Sequence, residues 1–499
     1  MSDLMRMIPF GNMMEWMLQE YKDQKSIFGI RDSKFYRNNS GKFIEVNGEK
    51  IASPMGPAAG PNSQLAQNIV ASYLAGCRFI ELKTIQEMDG EALRACVAKP
   101  CINVQDEGYN VEWSTELTVQ EAYDEYIKAW FILHVMGKEL GLNNGKDFAF
   151  NMSIGYDLDN IKKPKVSGFI DNMIDASNTP VWKECKSYLL ANLDKFKNID
   201  AAYIESISAN VCPSGTISTL HGCPPAEIER IAMFLLTEKK LSTFIKCNPT
   251  LNGYEFARNL LDKMGYDYVG FDDHHFNNDL QWDDAVEMLT RLKVVAKDLD
   301  LGFGVKLTNT FAVQIANKEF ETGDEMYMSG RSLFPLTISL ANRLSQYFNG
   351  DLQISYSGGA DYFNIADIIA CGIQPVTVAS TILKPGGYER VTQMADAVES
   401  MLDGGFKGLN VEALNKLATE VVNNKYHVKS RRTAQNRKTT SILPLFDCAK
   451  APCKDGGCPI NQQIPEYLKL VAEQKYDEAY KVIVNDNTAP GILGTICDH

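Results

Sequence analysis

The sequence predicts an α/β fold, a (β/α)8 TIM barrel followed by a small, truncated α-helical segment rich in cysteine. Short apolar runs alternate with helical patterns over residues 51–400, as expected of a parallel sheet with helical crossovers. Turns of small residues follow the first run, and Gly-Gly turns follow the last two, where a barrel gathers its site. Beyond residue 440, Cys448, Cys453 and Cys458 recur at five-residue steps and Cys497 stands alone.

In chain order, residues 1–50 read as an N-terminal extension with an amphipathic helix near Asn12–Tyr21. Strands are expected at Ile51–Met55, Phe79–Leu82, Phe148–Ile154, Ala202–Ile207, Phe244–Cys247, Tyr268–Phe271, Phe303–Leu307, Leu352–Tyr356 and Val376–Ala379. Helical patterns lie between most of them, at Ser63–Ala75, Val119–Leu140, Pro225–Leu236, Tyr254–Met264, Trp282–Lys297 and Leu333–Phe348. That is one run more than a barrel needs. Residues 401–440 form a basic helix or linker, with eight Lys/Arg against three Asp/Glu, either a solvated face or a dock for an acidic neighbour. Residues 441–499 carry the cysteine-rich segment.

Composition narrows the function. The 499 residues are 45% hydrophobic and 23% charged, enough for a large core. A net charge of −13 argues against nucleic acid or an acidic membrane surface as partner. No apolar window is long enough for a membrane span, and the Met-rich start lacks a basic region and cleavage site, so a cytoplasmic location is expected. Of the twelve cysteines, eight are scattered singly before residue 400, which suits reduced thiols rather than a disulfide framework.

The strand ends hold the candidate site. Met55-Gly56-Pro57-Ala58-Ala59-Gly60 lets backbone approach a flat ligand. Lys83 and Thr84 end the second run, and Lys246 ends the fifth; a lysine there can steady negative charge on a cofactor ring or simply snorkel to solvent. The Gly-Gly turns after the last two runs, Gly358-Gly359 and Gly386-Gly387, suit a phosphate held by backbone N–H groups. Between them lies Tyr203–Pro225, whose two Cys-Pro pairs mark either a loop able to move a proton or a tight structural turn with two buried thiols. Cys212 is the first thiol; Cys223, beside a helix start, is the runner-up. Asp272, Asp273, His274 and His275 are adjacent in an expected strand and so point to opposite faces, which disfavours a shared metal.

The order GPAAG, ELKT, ANVCP, IKCNP, SGGAD and ASTILKPGG resembles the flavin barrel of the dihydroorotate and dihydropyrimidine dehydrogenase family over roughly residues 51–390. The resemblance implies FMN at the mouth, with Ala58, Ala59, Lys83, Thr84 and Lys246 near its ring and ribityl chain. Gly358, Gly359, Ser380 and Thr381 would hold its phosphate, and Cys212 would exchange a proton with substrate. The family's asparagine three residues before the cysteine is Ala209 here, and its Thr-Asn-Thr after the sixth strand is replaced by the Asp272–His275 segment.

Closely spaced thiolates in a cytosolic protein are ligands of zinc or of an iron–sulfur cluster, and the absence of CxxC pairs favours the latter. The segment from Cys448 onward is similar to the iron–sulfur domain shared by glutamate synthase small subunits and dihydropyrimidine dehydrogenase. The resemblance implies 4Fe-4S clusters ligated by Cys448, Cys453, Cys458 and Cys497, and FAD and NAD(P)H on a module outside this chain. Four cysteines cannot complete two clusters, so the chain reads as the front part of a longer polypeptide. Barrel first and cluster domain second resembles the selenate reductase iron–sulfur subunit family. Together these imply an oxidoreductase passing electrons from NAD(P)H through 4Fe-4S clusters to a barrel flavin that reduces an unsaturated ring or other small acceptor. The implied partners are the rest of the polypeptide or a separate FAD/NAD(P)H module, and a molybdoenzyme-type subunit. The alternative is a non-catalytic electron-transfer or scaffold subunit with a degenerate flavin barrel.

Overall fold

The computed structural model describes residues 6–97, 100–104, 107–112, 114–143, 146–155, 157–218, 221–316, 319–320, 323–429, 458 and 460–496. Cys448, Cys453 and Cys497 lie outside the described residues, as does the basic stretch from residue 430 to 440.

Eight parallel strands follow one another around the barrel in chain order: β1 (Met55–Pro57), β2 (Phe79–Glu81), β3 (Ala149–Gly155), β4 (Ser214–Ser218), β5 (Ser242–Cys247), β6 (Phe303–Leu307), β7 (Gln353–Tyr356) and β8 (Val376–Val378). Ladder pairing runs from β2 through β8 and on to β1. The last seam, β1 against β2, is joined where the Arg78 N–H donates to Met55 O at 2.7 Å. It can close this tightly because position 56 is glycine: a Cβ there would sit 1.6 Å from Phe79 O. Beneath the seam Arg78 is fully buried, its Nε donating to Asp147 at 2.6 Å and its guanidinium lying over the Tyr73 ring.

Seven of the nine expected runs overlap barrel strands. The other two do not, and one strand is new. Ala202–Ile207 is apolar enough for a strand, yet Ala201–Ser206 is helical because the Asp200 carboxylate caps it, accepting from Tyr203 N at 2.8 Å. Tyr268–Phe271 is a loop lying along a neighbouring strand, with Gly270 O accepting from Gln314 N at 2.7 Å. The true β4, Ser-Gly-Thr-Ile-Ser, has no apolar run to announce it; its small residues fit between β3 and β5.

Six helices appear where expected, among them Val119–Glu139, opened by a Thr118/Glu121 capping box. A four-stranded antiparallel sheet covers the carboxyl end of the barrel. It is assembled from two excursions, Ile102–Val104 with Gly108–Asn110 after β2, and Phe311–Gln314 with Glu325–Ser329 after β6. Val411–Glu420 packs on Phe334–Tyr347, so this part of the basic stretch is a docked helix. The tail contributes helices Ile464–Ala472 and Tyr476–Asp486, which pack on each other and reach the N-terminal helix through Gln474 and Glu15. Among the described residues, no helix is long and apolar enough to cross a membrane.

The seam makes a test of closure. Gly56→Ala places a methyl against backbone, which cannot swing aside, and should destabilise the barrel by roughly 3 kcal/mol or more, read from urea unfolding midpoints.

Candidate active site at the barrel mouth

One cavity opens at the carboxyl ends of the strands under the covering sheet, and every residue expected to hold a cofactor lines it: Ala58, Ala59, Lys83, Thr84, Lys246, Gly358, Gly359, Ser380 and Thr381. They arrive from five strand ends or the turns after them, those of β1, β2, β5, β7 and β8, as a barrel requires.

On one side are backbone amides. Gly359 takes φ +74°, and a Cβ there would lie 2.2 Å from Gly330 O, so only glycine folds into this turn. The N–H groups of Gly359, Ala360, Ser380 and Thr381 meet no acceptor among the described residues. Uncommitted amides converging on a cavity are a cradle for an anion. Thr381 Oγ1 donates to Ala360 O at 3.0 Å and ties the two turns together.

On the barrel axis sits a set of buried charges. Lys306 Nζ lies 3.0 Å from Glu81 Oε2 and donates to Thr377 Oγ1 at 2.6 Å. Lys83 is paired with Glu112, from the loop after the covering strand Gly108–Asn110. Burial opposes ionisation of Glu81, but the ammonium groups of Lys306 and Lys246 outweigh it and hold the carboxyl below its ordinary range. Lys246 differs from the other two: no carboxylate lies within ion-pair distance of it among the described residues. Burial, reinforced by the charges of Lys306 and Lys83 and only partly offset by Glu81, brings its ammonium down to about 8. Three ammonium groups thus face two carboxylates, and the surplus charge opens into the cavity.

Cys212 is not part of this site. It precedes β4, at the amino end of the barrel, fully buried, with its Sγ 3.1 Å from Phe150 O and 3.3 Å from Ser214 O, either of which can accept its one proton. Burial pushes the thiol up to about 12, the wrong direction for proton exchange at neutral pH. The expectation failed because β4 was placed one element too early, which exchanged the two ends of the barrel for this residue. Cys223, in the loop beyond β4, is half-buried and pushed up to about 11, chiefly by burial. Asp272 to His275 are not a strand either; His274–Asn278 is a short helix, with His275 Nε2 2.9 Å from Glu325.

The sequence reading missed His221. It lines the cavity from the loop after β4, with its Nδ1 2.6 Å from Asp279 Oδ2. Asp279 is buried and also accepts from Gly222 N at 2.7 Å, Thr250 Oγ1 at 2.7 Å and Asn248 Nδ2 at 3.0 Å. Burial alone would raise this carboxyl; hydrogen bonds and the His221 ring hold it below its usual range. The available signal was a histidine just before a helix start, but its partner lies 58 residues away.

A closed barrel with a covered mouth, a lysine without an ion-pair partner among the described residues and uncommitted amides on its last two turns is laid out as the site of a barrel enzyme. Residues 28–429 match the family described as oxidoreductase YgfK, N-terminal TIM-barrel domain, and the chain belongs to that family. Residues 422–499 match dihydropyrimidine dehydrogenase domain II, 4Fe-4S cluster, so the cysteine-rich segment is a 4Fe-4S domain. The Escherichia coli (strain K12) protein named "Putative oxidoreductase YgfK" is 46% identical over 511 residues, covering 100% of this chain and 49% of that protein. The chain therefore spans about half the length of the curated relatives it matches end to end. The NADPH-Fe(3+) oxidoreductase subunit beta of Geobacter sulfurreducens is 32% identical over 63 residues, 13% of this chain and 9% of that one. A crystal structure of DHODH from Eimeria tenella with ferulenol aligns over 81% of this chain and 93% of that one at 13% identity and a TM-score of 0.39, too loosely to bear on function.

The placement of Cys212 can be checked by iodoacetamide labelling of the native chain at pH 7 with peptide mass mapping. Cys96, which is exposed, should alkylate while Cys212 stays unmodified until the chain is unfolded.

Proposed function

We propose that this chain is the reducing end of a longer iron–sulfur flavoprotein. FMN would bind in the barrel mouth, and the 4Fe-4S segment would deliver electrons from NAD(P)H oxidised on an FAD module outside the chain. The single observation that carries the reading is the pairing, in one cavity, of uncommitted amides after β7 and β8 with the unpaired ammonium of Lys246. The donor chemistry fits the group: an anion cradle for the phosphate at one side and a cation for the electron-rich ring at the other. Gly359, Ala360, Ser380 and Thr381 would hold the phosphate, Ala58 and Ala59 would let the ring lie against backbone, and Lys246 would face its most negative edge.

Bound there, FMN supplies two-electron chemistry to a small acceptor. The chain's own residues do the rest. Lys246 steadies negative charge, the Lys83–Glu112 pair fixes one wall, and the covering sheet keeps water out. The reading takes an unsaturated ring or similar organic acceptor over selenate. An oxyanion would need cations to spare, and Lys83 and Lys306 are already held by Glu112 and Glu81. The greater length of the relatives supports a further electron-input module, and the short match to an NADPH-Fe(3+) oxidoreductase subunit supports NADPH as its donor. Of the four cluster cysteines only Cys458 is among the described residues, so no electron path is traced from the cluster.

Titration of the anaerobically purified chain with FMN, followed by quenching of flavin fluorescence, tests the reading. Stoichiometric binding is expected, weakened about tenfold or more by Lys246→Met. Because the free lysine loses its proton near pH 8 and the bound anion favours the charged form, affinity should be constant below that pH and fall as pH rises through it. A chain that takes up no FMN sinks the proposal.

A further inference from the structure

We infer that His221, oriented by Asp279, is the group that protonates the unsaturated acceptor proposed for the mouth. The inference rests on FMN occupying the mouth.

The geometry is that of an oriented acid. Asp279 takes Nδ1 of the ring, so the opposite nitrogen, Nε2, is the one left to exchange a proton. Nε2 is buried and, among the described residues, has no hydrogen-bond partner, while the residue itself lines the cavity. A buried ring nitrogen without a partner carries a desolvation cost that a ligand in the cavity would offset. The ring's position is set by both sides. Asp279 anchors the loop after β4 through Gly222, and the loop after β5 through Asn248 and Thr250. Asn309, after β6, donates to Asn248 at 2.7 Å. Three strand ends are thereby locked around one imidazole. The groups facing it are the Asp279 carboxylate, the Tyr327 ring lying parallel at 6.2 Å, and the His275 ring at 4.7 Å, itself held by Glu325.

A metal held by His221, His275 and Asp279 is the competing use of this cluster, since their donor atoms lie within 4.8 Å of one another. The hydrogen bonds count against it. Asp279 already accepts from four donors, and His275 Nε2 is engaged with Glu325, so a cation would have to displace most of the contacts that build the site.

The chemistry balances with the groups named. Reduction of a conjugated C=C takes a hydride at the carbon remote from the carbonyl, supplied by reduced flavin, and a proton at the neighbouring carbon. The second C–H bond forms as the Nε2–H bond of the imidazolium breaks. His221 is left neutral with its Nδ1–H still donating to Asp279, and solvent returns the lost proton. The carboxylate at Nδ1 fixes the tautomer left after the transfer. Cys212, at the far end of the barrel, has no such access.

Two measurements test the assignment. In the full chain labelled with nitrogen-15 histidine, His221→Gln identifies one signal among the six histidines. That ring, when neutral, should carry its proton on Nδ1, and Asp279→Asn should admit the Nε2–H tautomer. In the FMN-loaded chain, photoreduced without oxygen, 2-cyclohexen-1-one should be reduced. His221→Gln should lower kcat at least ~100-fold with KM little changed and FMN still bound. A wild-type Nε2–H tautomer, equal kcat in the variant, or a stoichiometric zinc ion that shifts the signals of both His221 and His275 would each overturn the assignment. A loaded chain that is reoxidised by menadione but reduces neither 2-cyclohexen-1-one nor uracil overturns the role of His221 as proton donor to a C=C bond. Failure to bind FMN removes the preceding proposal instead, and the tautomer still decides the dyad.

Discussion

The architecture of the mouth depends on how charge is balanced inside the barrel. Three lysines, Lys83, Lys246 and Lys306, come from three strand ends; Glu112 pairs with Lys83 and Glu81 with Lys306, and Lys246 has no carboxylate within ion-pair distance among the described residues. Burying an ammonium group is costly unless it is paired, so two of the three are locked into ion pairs. Glu81 serves twice: it binds Lys306 directly and its field supports Lys246. The unpaired lysine is therefore the one the site has reserved. Its depressed proton affinity measures the stabilisation that an incoming anion can recover, which links the fold's electrostatics to its choice of ligand.

The parts of this design that are local were legible in the sequence. A lysine at the end of an apolar run, or Gly-Gly after one, carries its meaning within five residues, and all nine residues that these patterns and the resemblance to flavin barrels single out line one cavity. The covering sheet was not legible, because its four strands are short, come from two excursions about 200 residues apart, and pair only with each other. β4 was hidden for a different reason. Ser214-Gly215-Thr216-Ile217-Ser218 is buried on both faces by small residues, so neither alternation nor an apolar run marks it, whereas the apolar face of the helix Ala201–Ser206 mimics a strand.

That one misplaced strand explains the misassigned cysteine. In a barrel, a residue before a strand and a residue after it lie at opposite ends of the molecule, so an error of one element inverts the assignment of end. The same correction brings His221 into view. Once β4 ends at Ser218, the residues that reach the mouth are those from 219 onward, and the histidine at 221 is the first chemically competent side chain described there.

The covering sheet decides what can reach that histidine. Tyr109 and Asn110 come from one excursion and Tyr327 and Ser329 from the other, joined by Tyr327 pairing with Asn110 and by Ser329 bridging to Ser380 at 2.9 Å and to Gly108 O at 3.1 Å. Ser329 and Ser380 leave no room for a side chain at position 108, since a Cβ there would lie 2.6 Å and 2.7 Å from their hydroxyls. The cover is thus fixed at the cradle side, over the turns after β7 and β8, and meets the acid side through the Tyr327 ring and through Glu325, which holds His275. A barrel whose strand ends bring the lysines and amides to the mouth and whose two excursions supply the roof separates these parts physically. Under the proposed reading, changes in the roof would alter what fits beside His221 without disturbing the lysines below it.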